Sequence, residues 1–257
     1  MSADAHDSIV PSDLPELVRK IRERTPARLL AGRVGAAYRT QTQIELREAH
    51  AAARDAVRAE ISIESVFDGA FTQRWKLFEV STTAIAKNDF LLRPDLGRHF
   101  SDSSRAKIRE SCPTGCDLQI AIGDGLSVPA IAAQVPSLLP ILCEGAQAHR
   151  WKTGRSFVIR HCRVGILNEI GELLDPVVAV LLIGERPGLA TAESLSAYMA
   201  YRPRKHHTDA NRNLISNIHA RGVSSTDAAG RILSLAALMM KSGASGYTIK
   251  EERRDLS

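Results

Sequence analysis

Residues 177–183 read V-V-A-V-L-L-I, an unbroken apolar run that stops at G-E-R-P-G over 184–188. A run with no polar alternation suits a strand covered on both faces, as in a parallel sheet. That demand constrains the rest of the chain, because helices must cover both sides and further strands must recur between them. Shorter apolar segments do recur. Residues 118–122 end in G-D-G at 123–125, and residues 156–159, 195–201 and 213–218 read as further strands. Helical stretches lie between them: one running through Ala133, another over 138–148 and a third over 166–174. Ser224 is a good N-cap with Asp227 three residues on, and Ala228, Ile232, Leu235 and Met239 share the inner face of the helix that follows.

The expected fold class is therefore α/β, with a Rossmann-like parallel sheet and right-handed crossovers over residues 76–257. Ahead of it, residues 1–10 read as a mobile tail and 11–75 as a small helical N-terminal module. Leu14, Leu17, Val18 and Ile21 fall on one face of a short helix that Pro26 stops. Residues 41–60 are rich in helix formers, with Leu46, Ala53 and Val57 facing inward. So thin a core calls for a neighbour. Residues 62–88 show no clear pattern, residues 90–92 suggest a short strand, and 94–112 a helix. The charged tail after Gly246 is expected to be exposed.

Composition narrows the function. With 257 residues, 44% hydrophobic and 25% charged, the chain can bury a substantial core. Its net charge of +5 is spread along the sequence rather than gathered into a patch, and aromatics make up only 5%. Nucleic-acid binders concentrate basic residues and stacking rings, so an anionic ligand or an acidic protein partner is the better expectation. No apolar run reaches the ~18–20 residues of a membrane helix, and no signal core opens the chain. Four scattered cysteines, Cys112, Cys116, Cys143 and Cys162, do not make a disulfide framework, which suits a reducing interior.

In open α/β sheets, ligands lie beyond the carboxyl ends of the strands. Glu185 and Arg186 stand at such an end, within a Gly-Pro turn that admits close approach to the backbone. G-D-G-L-S at 123–127 occupies a similar place, with Asp124 or Ser127 as helix cap or cofactor contact. It is not G-x-G-x-x-G, so no dinucleotide site is expected. There is no G-x-S-x-G elbow and no Walker loop. Cys112 and Cys116 lack a second cysteine pair at zinc spacing, and His206 and His207 lack further ligands, so no metal site is expected. Asn217 and His219 lie at the end of a strand, where His219 reads as a hydrogen-bonded structural residue, with a cofactor or interface role as the alternative.

G-E-R-P-G-L at 184–189, with S-L-S-x-Y at 194–198 and S-N-I-H at 216–219, resembles the small (light) subunit of ethanolamine ammonia-lyase. T-P-A-R-L-L-A-G-R-V-G at 25–35, R-T-Q at 39–41, R-P-D-L-G-R at 93–98, D-G-L-S at 124–127, R-x-x-R-V at 160–164 and I-G-E-L-L at 170–174 follow the same family in the same order. The resemblance implies a lyase that converts ethanolamine to acetaldehyde and ammonia by radical chemistry, with adenosylcobalamin bound between a large and a small subunit in a hetero-oligomer. It implies that Val164, Glu185 and Leu214 contact the corrin, with Arg163 and Arg186 as neighbours. Val164 and Leu214 would offer an apolar wall, Glu185 an acceptor for amide N–H groups, and the arginines donors to amide carbonyls or phosphate. The substrate pocket lies in the family's large subunit, so no catalytic residue is assigned to this chain. D-x-H-x-x-G, whose histidine replaces the cofactor's own base on cobalt, does not occur, and the implied state is base-on. The expected location is the cytoplasm. Packing into a bacterial microcompartment is associated with a longer N-terminal extension than the stretch before Thr25 provides. The alternative to the subunit reading is a stand-alone α/β protein that binds a nucleotide or a corrinoid.

Overall fold

The computed structural model describes residues 16–24 and 31–251. The expected tail at 1–10, Leu14, Pro26 and the last residues of the chain lie outside the described residues. The N-terminal part contains α1 (Glu16–Glu23), a two-residue hairpin of β1 (Arg33–Val34) and β2 (Ala37–Tyr38), α2 (Thr40–Arg58), α3 (Ile63–Val66) and α4 (Gly69–Arg74). In α2, Thr42 and Ala56 are buried and Leu46, Ala53 and Val57 are half-buried, the face its periodicity marks. Leu17, Val34, Tyr38 and Ile44 remain exposed.

The body of the molecule is a six-stranded sheet. Its strands are β3 (Glu79–Ser81), β4 (Leu118–Gly123), β5 (Phe157–Arg160), β6 (Val178–Gly184), β7 (Leu195–Tyr201) and β8 (Asn213–Ile218), in the spatial order β3-β5-β4-β6-β7-β8. Helices α5 (Lys87–Leu92), α6 (Asp102–Ser111), α7 (Val128–Ala148) and α8 (Ile166–Leu174) connect them, and α9 (Ser225–Ser242) follows the sheet. Every residue of β4 and β6 is buried, as the bare apolar runs demand. Ile120, Ile122, Val180 and Leu182 face α7 and α9 in one core cluster, while Ala121, Ala179, Leu181 and Ile183 face α8 in the other. Each large aliphatic side chain removed from water there contributes ~1.5–3 kcal/mol.

The sheet is mostly parallel, and it departs from the all-parallel expectation at one edge. β3, β5, β4 and β6 run parallel, β7 is antiparallel to β6, and β8 is antiparallel to β7. The reason is the connection. A parallel return needs a crossover of a dozen residues or more, usually a helix. The links 185–194 and 202–212 contain no α-helix, so the chain turns back on itself.

Three local expectations are corrected. Residues 90–92 belong to helix α5, with Lys87 and Phe90 buried one turn apart. An apolar run that short carries no usable period. The expected helix over 94–112 breaks into a single 3-10 turn, Leu96–Arg98, and α6, which Ser101 caps by accepting the Ser104 N–H. The two stretches expected around 126–148 are one helix, α7, that passes through Pro136 and Pro140. Pro136 is exposed and Pro140 is half-buried, so both lie off the deeply buried stripe of Ile131, Val135, Leu138, Leu139 and Leu142. Apolar burial on that stripe outweighs the missing helical hydrogen bonds. By length and composition α7 could cross a membrane, but it is a core helix that packs on the sheet beside α9.

Candidate functional site

The chain leaves β4 into α7 on one face of the sheet and leaves β5 into α8 on the other. The carboxyl ends of these adjacent strands therefore open a crevice, the topological switch point at which α/β sheets bind ligands. Asp124, the residue after β4, fills the floor of that crevice and is fully buried. Its Oδ1 accepts the Cys162 N–H at 2.7 Å, and its Oδ2 accepts the His161 N–H at 2.9 Å. The Lys87 Nζ, itself buried, lies 3.4 Å from Oδ2. Burial pushes the Asp124 carboxyl above the usual carboxylate range, while the Lys87 ammonium and the two backbone donors oppose the rise. Ser127, not Asp124, caps α7 by accepting the Ala130 N–H at 3.3 Å.

These contacts set the turn after β5. His161 adopts a left-handed backbone (φ 57°), held by Asp124 on its N–H and by the Thr82 hydroxyl, which donates to its carbonyl at 3.0 Å. His161 Nδ1 lies 3.0 Å from the Ala84 carbonyl, and its ring stacks on Phe90. The turn then delivers Arg163 and Val164 to the outside of the crevice. The Arg163 N–H donates to the Gly97 carbonyl at 2.8 Å, Nη2 donates to the Phe90 carbonyl at 3.1 Å, and the guanidinium lies 4.2 Å from the centre of the Phe90 ring. Arg163 Nε is buried without a partner.

The sequence-predicted residues gather on the α8 side of this rim. Val164 is half-buried against the α8-side core, as is Tyr198 on β7. Tyr198 stands directly opposite Leu214 in the β7–β8 register. Leu214 is 45% exposed, because among the described residues no helix covers this face at β8. Glu185 follows β6, its N–H donating to the Ser194 carbonyl at 3.0 Å. Its side chain comes near the Tyr198 phenol, whose pKa is raised by burial first and by Glu185 second. Arg186 is exposed and close enough to Arg163 to add to the lowering that burial imposes on that guanidinium. The five residues thus border one open face: an apolar floor of Leu214 and Tyr198, a carboxylate at Glu185, an apolar side at Val164 and cations beyond.

Sequence reading missed Lys87, Tyr198 and Arg98. Lys87 lies where no period was legible. Tyr198 stood in the S-L-S-x-Y motif and on a strand without a role, because nothing local says that, among the described residues, its strand lacks a covering helix on this face. Arg98 lay in a quoted motif without a role. His219 is the expected structural residue, with Nε2 2.7 Å from the Asn217 Oδ1. The four cysteines are free thiols. Burial raises Cys112, Cys116 and Cys143 to about 11, so they are not poised for thiolate chemistry. Among the described residues, no group of three or more His, Cys, Asp or Glu side chains is placed to hold a metal ion.

Residues 15–250 match the family of ethanolamine ammonia-lyase light chains (EutC). The chain is 39% identical to the ethanolamine ammonia-lyase small subunit of Clostridium perfringens over 235 residues, covering 91% of this chain and 78% of that protein. It is 39% identical to the corresponding subunit of Clostridioides difficile over 230 residues, 90% of this chain and 76% of the relative. It is 36% identical to that of Clostridium acetobutylicum over 235 residues, 91% of this chain and 95% of the relative. On this evidence the chain belongs to the ethanolamine ammonia-lyase small-subunit family.

Proposed function

We propose that this chain is the small subunit of an adenosylcobalamin-dependent ethanolamine ammonia-lyase and completes the cofactor site with a large subunit. The observation that carries the reading is the open sheet face at the carboxyl rim, where Val164, Glu185, Tyr198 and Leu214 border one surface. A corrin is a broad apolar disc fringed with amides, and the donor set fits it. Leu214 and Val164 offer contact to the disc. The Glu185 carboxylate accepts amide N–H, and the buried, unpartnered Nε of Arg163 leaves a donor to be satisfied from the ligand side.

When bound, the cofactor supplies a weak cobalt–carbon bond as the source of radical chemistry, which belongs to the cofactor. This chain's residues bind, orient and exclude water. Leu214 and Tyr198 remove solvent from one side of the disc. Asp124 and Lys87 hold the turn that presents Arg163 and Val164. No residue here acts on ethanolamine, whose pocket we place in the large subunit. We place the assembly in the cytoplasm.

The experiment is reconstitution with the large subunit and adenosylcobalamin. Ammonia release from ethanolamine is expected only with all components present, and silence from a fully assembled complex would reject the substrate. Glu185→Ala is expected to weaken cobalamin binding in that complex by ~1–3 kcal/mol, one lost hydrogen bond to a charged group. Unchanged affinity removes Glu185 from the site.

A further inference from the structure

The rim carries more positive charge than a neutral, amide-fringed disc requires. Arg98 and Arg163 sit on interlocked turns. The Arg163 Cγ lies 2.6 Å from where a Cβ on Gly97 would stand, and the Arg98 Cγ and Cδ lie 2.9 and 3.0 Å from where one on Gly165 would stand. Glycine at both positions lets the two side chains pass the opposing backbone. Arg186 comes from the end of β6, separated in the sheet from the end of β5 only by β4. Burial lowers the Arg163 pKa first and the field of Arg186 second; Asp124 opposes the shift, and Arg98 adds a smaller lowering.

Asp124 acts on Arg163 and Asp95 on Arg98 at a distance, but no carboxylate forms an ion pair with any of the three guanidiniums among the described residues. The Arg98 and Arg186 guanidiniums make no ion pair or side-chain hydrogen bond among the described residues. Asp95 is held by Arg93 at 2.8 Å, and Asp124 is taken by Lys87 and two backbone amides. Three neighbouring cations with no carboxylate bonded to them favour an oxyanion ligand, since guanidinium forks match phosphate geometry.

We infer that Arg98, Arg163 and Arg186 form a phosphodiester subsite that receives the nucleotide loop of bound cobalamin. The inference rests on the cofactor reading above. It divides the rim into two parts: Leu214, Tyr198, Val164 and Glu185 meet the corrin, and the arginines meet the one anionic group of the cofactor's tail.

The test uses two ligands on the assembled large–small complex, each titrated by absorbance. Cyanocobalamin carries the phosphodiester, whereas dicyanocobinamide has the same corrin amides without it. Arg98→Gln and Arg186→Gln alter exposed side chains, so assembly is expected to persist, and gel filtration checks it. Each variant is expected to raise the Kd for cyanocobalamin about tenfold, the loss of one charged hydrogen bond, and to leave that for dicyanocobinamide within about twofold. Equal weakening of both ligands overturns the subsite, because the arginines would then serve the corrin. No change in either overturns it as well. A wild-type complex that binds neither corrinoid rejects the cofactor reading itself. Wild-type binding of both, with indifferent variants, rejects the subsite alone.

Discussion

Asp124→Asn is the most informative single perturbation of the rim. The carboxylate is fully buried and uses both oxygens: one on the Cys162 N–H, the other on the His161 N–H and the Lys87 ammonium. Asparagine keeps the shape but offers one oxygen. Its NH2 must face a donor, so at least one backbone N–H or the ammonium loses its acceptor. Stranding the buried Lys87 is worth ~3–5 kcal/mol, and an unsatisfied buried amide a further ~1–3 kcal/mol. A loss of about 4 kcal/mol or more is expected, a large fraction of the ~5–15 kcal/mol that holds a typical domain.

Lys87→Met removes the cation that most opposes the burial-driven rise of the Asp124 pKa and leaves that side chain bonded to two amides, and about 3 kcal/mol is expected. The double variant has no stranded cation, so its loss is expected to fall short of the sum by ~1–3 kcal/mol. Urea unfolding followed by circular dichroism measures all three. Strict additivity, or a loss below about 1 kcal/mol for Asp124→Asn, would refute the argument that this pair organises the 161–164 turn.

Two further outcomes follow from the same rim. Gly184→Ala would drive a Cβ into the carbonyl oxygens of Ser127 and Asp124, where Gly125 (φ 54°) already packs against Gly184; a lowered urea midpoint equivalent to ~1–3 kcal/mol is expected, and an unchanged midpoint would show that the loop yields freely. Burial and Arg221 lower the His219 pKa; its Nδ1 accepts the Arg221 N–H at 3.3 Å, the tautomer in which Nε2 donates to the Asn217 Oδ1. A histidine whose folded pKa lies below its unfolded value contributes stability that is present above the unfolded pKa of ~6.5 and lost as pH falls through the folded one. Stability should therefore decline on acidification below ~6.5 more steeply in wild type than in His219→Gln, and parallel pH profiles would contradict this.

How legible the molecule was depended on whether the signal was local. β6 was read from its bare apolar run and β7 and β8 from their bounds, while α8 was legible because Ile166, Leu167, Ile170 and Leu174 repeat at helical spacing. Those are properties of adjacent residues. The gap expected between Ala133 and residue 138, where α7 runs on through Pro136 and Pro140, failed for the opposite reason. Their effect depends on which face of α7 is buried, and only the packed sheet decides that.

The site divides in the same way. Sequence by itself determined that Glu185 and Arg186 stand at the end of a buried strand, that glycines flank them, and that the ordered motifs follow one family. It could not determine that the links after β6 and β7 reverse the chain and, among the described residues, leave Tyr198 and Leu214 without a covering helix. Nor could it show that Lys87, Asp124 and His161, far apart in the chain, meet in one crevice. Those facts depend on strand order and on which face each crossover takes. Both are settled by the burial of the sheet as a whole, because no short stretch of chain contains the surfaces that must be covered.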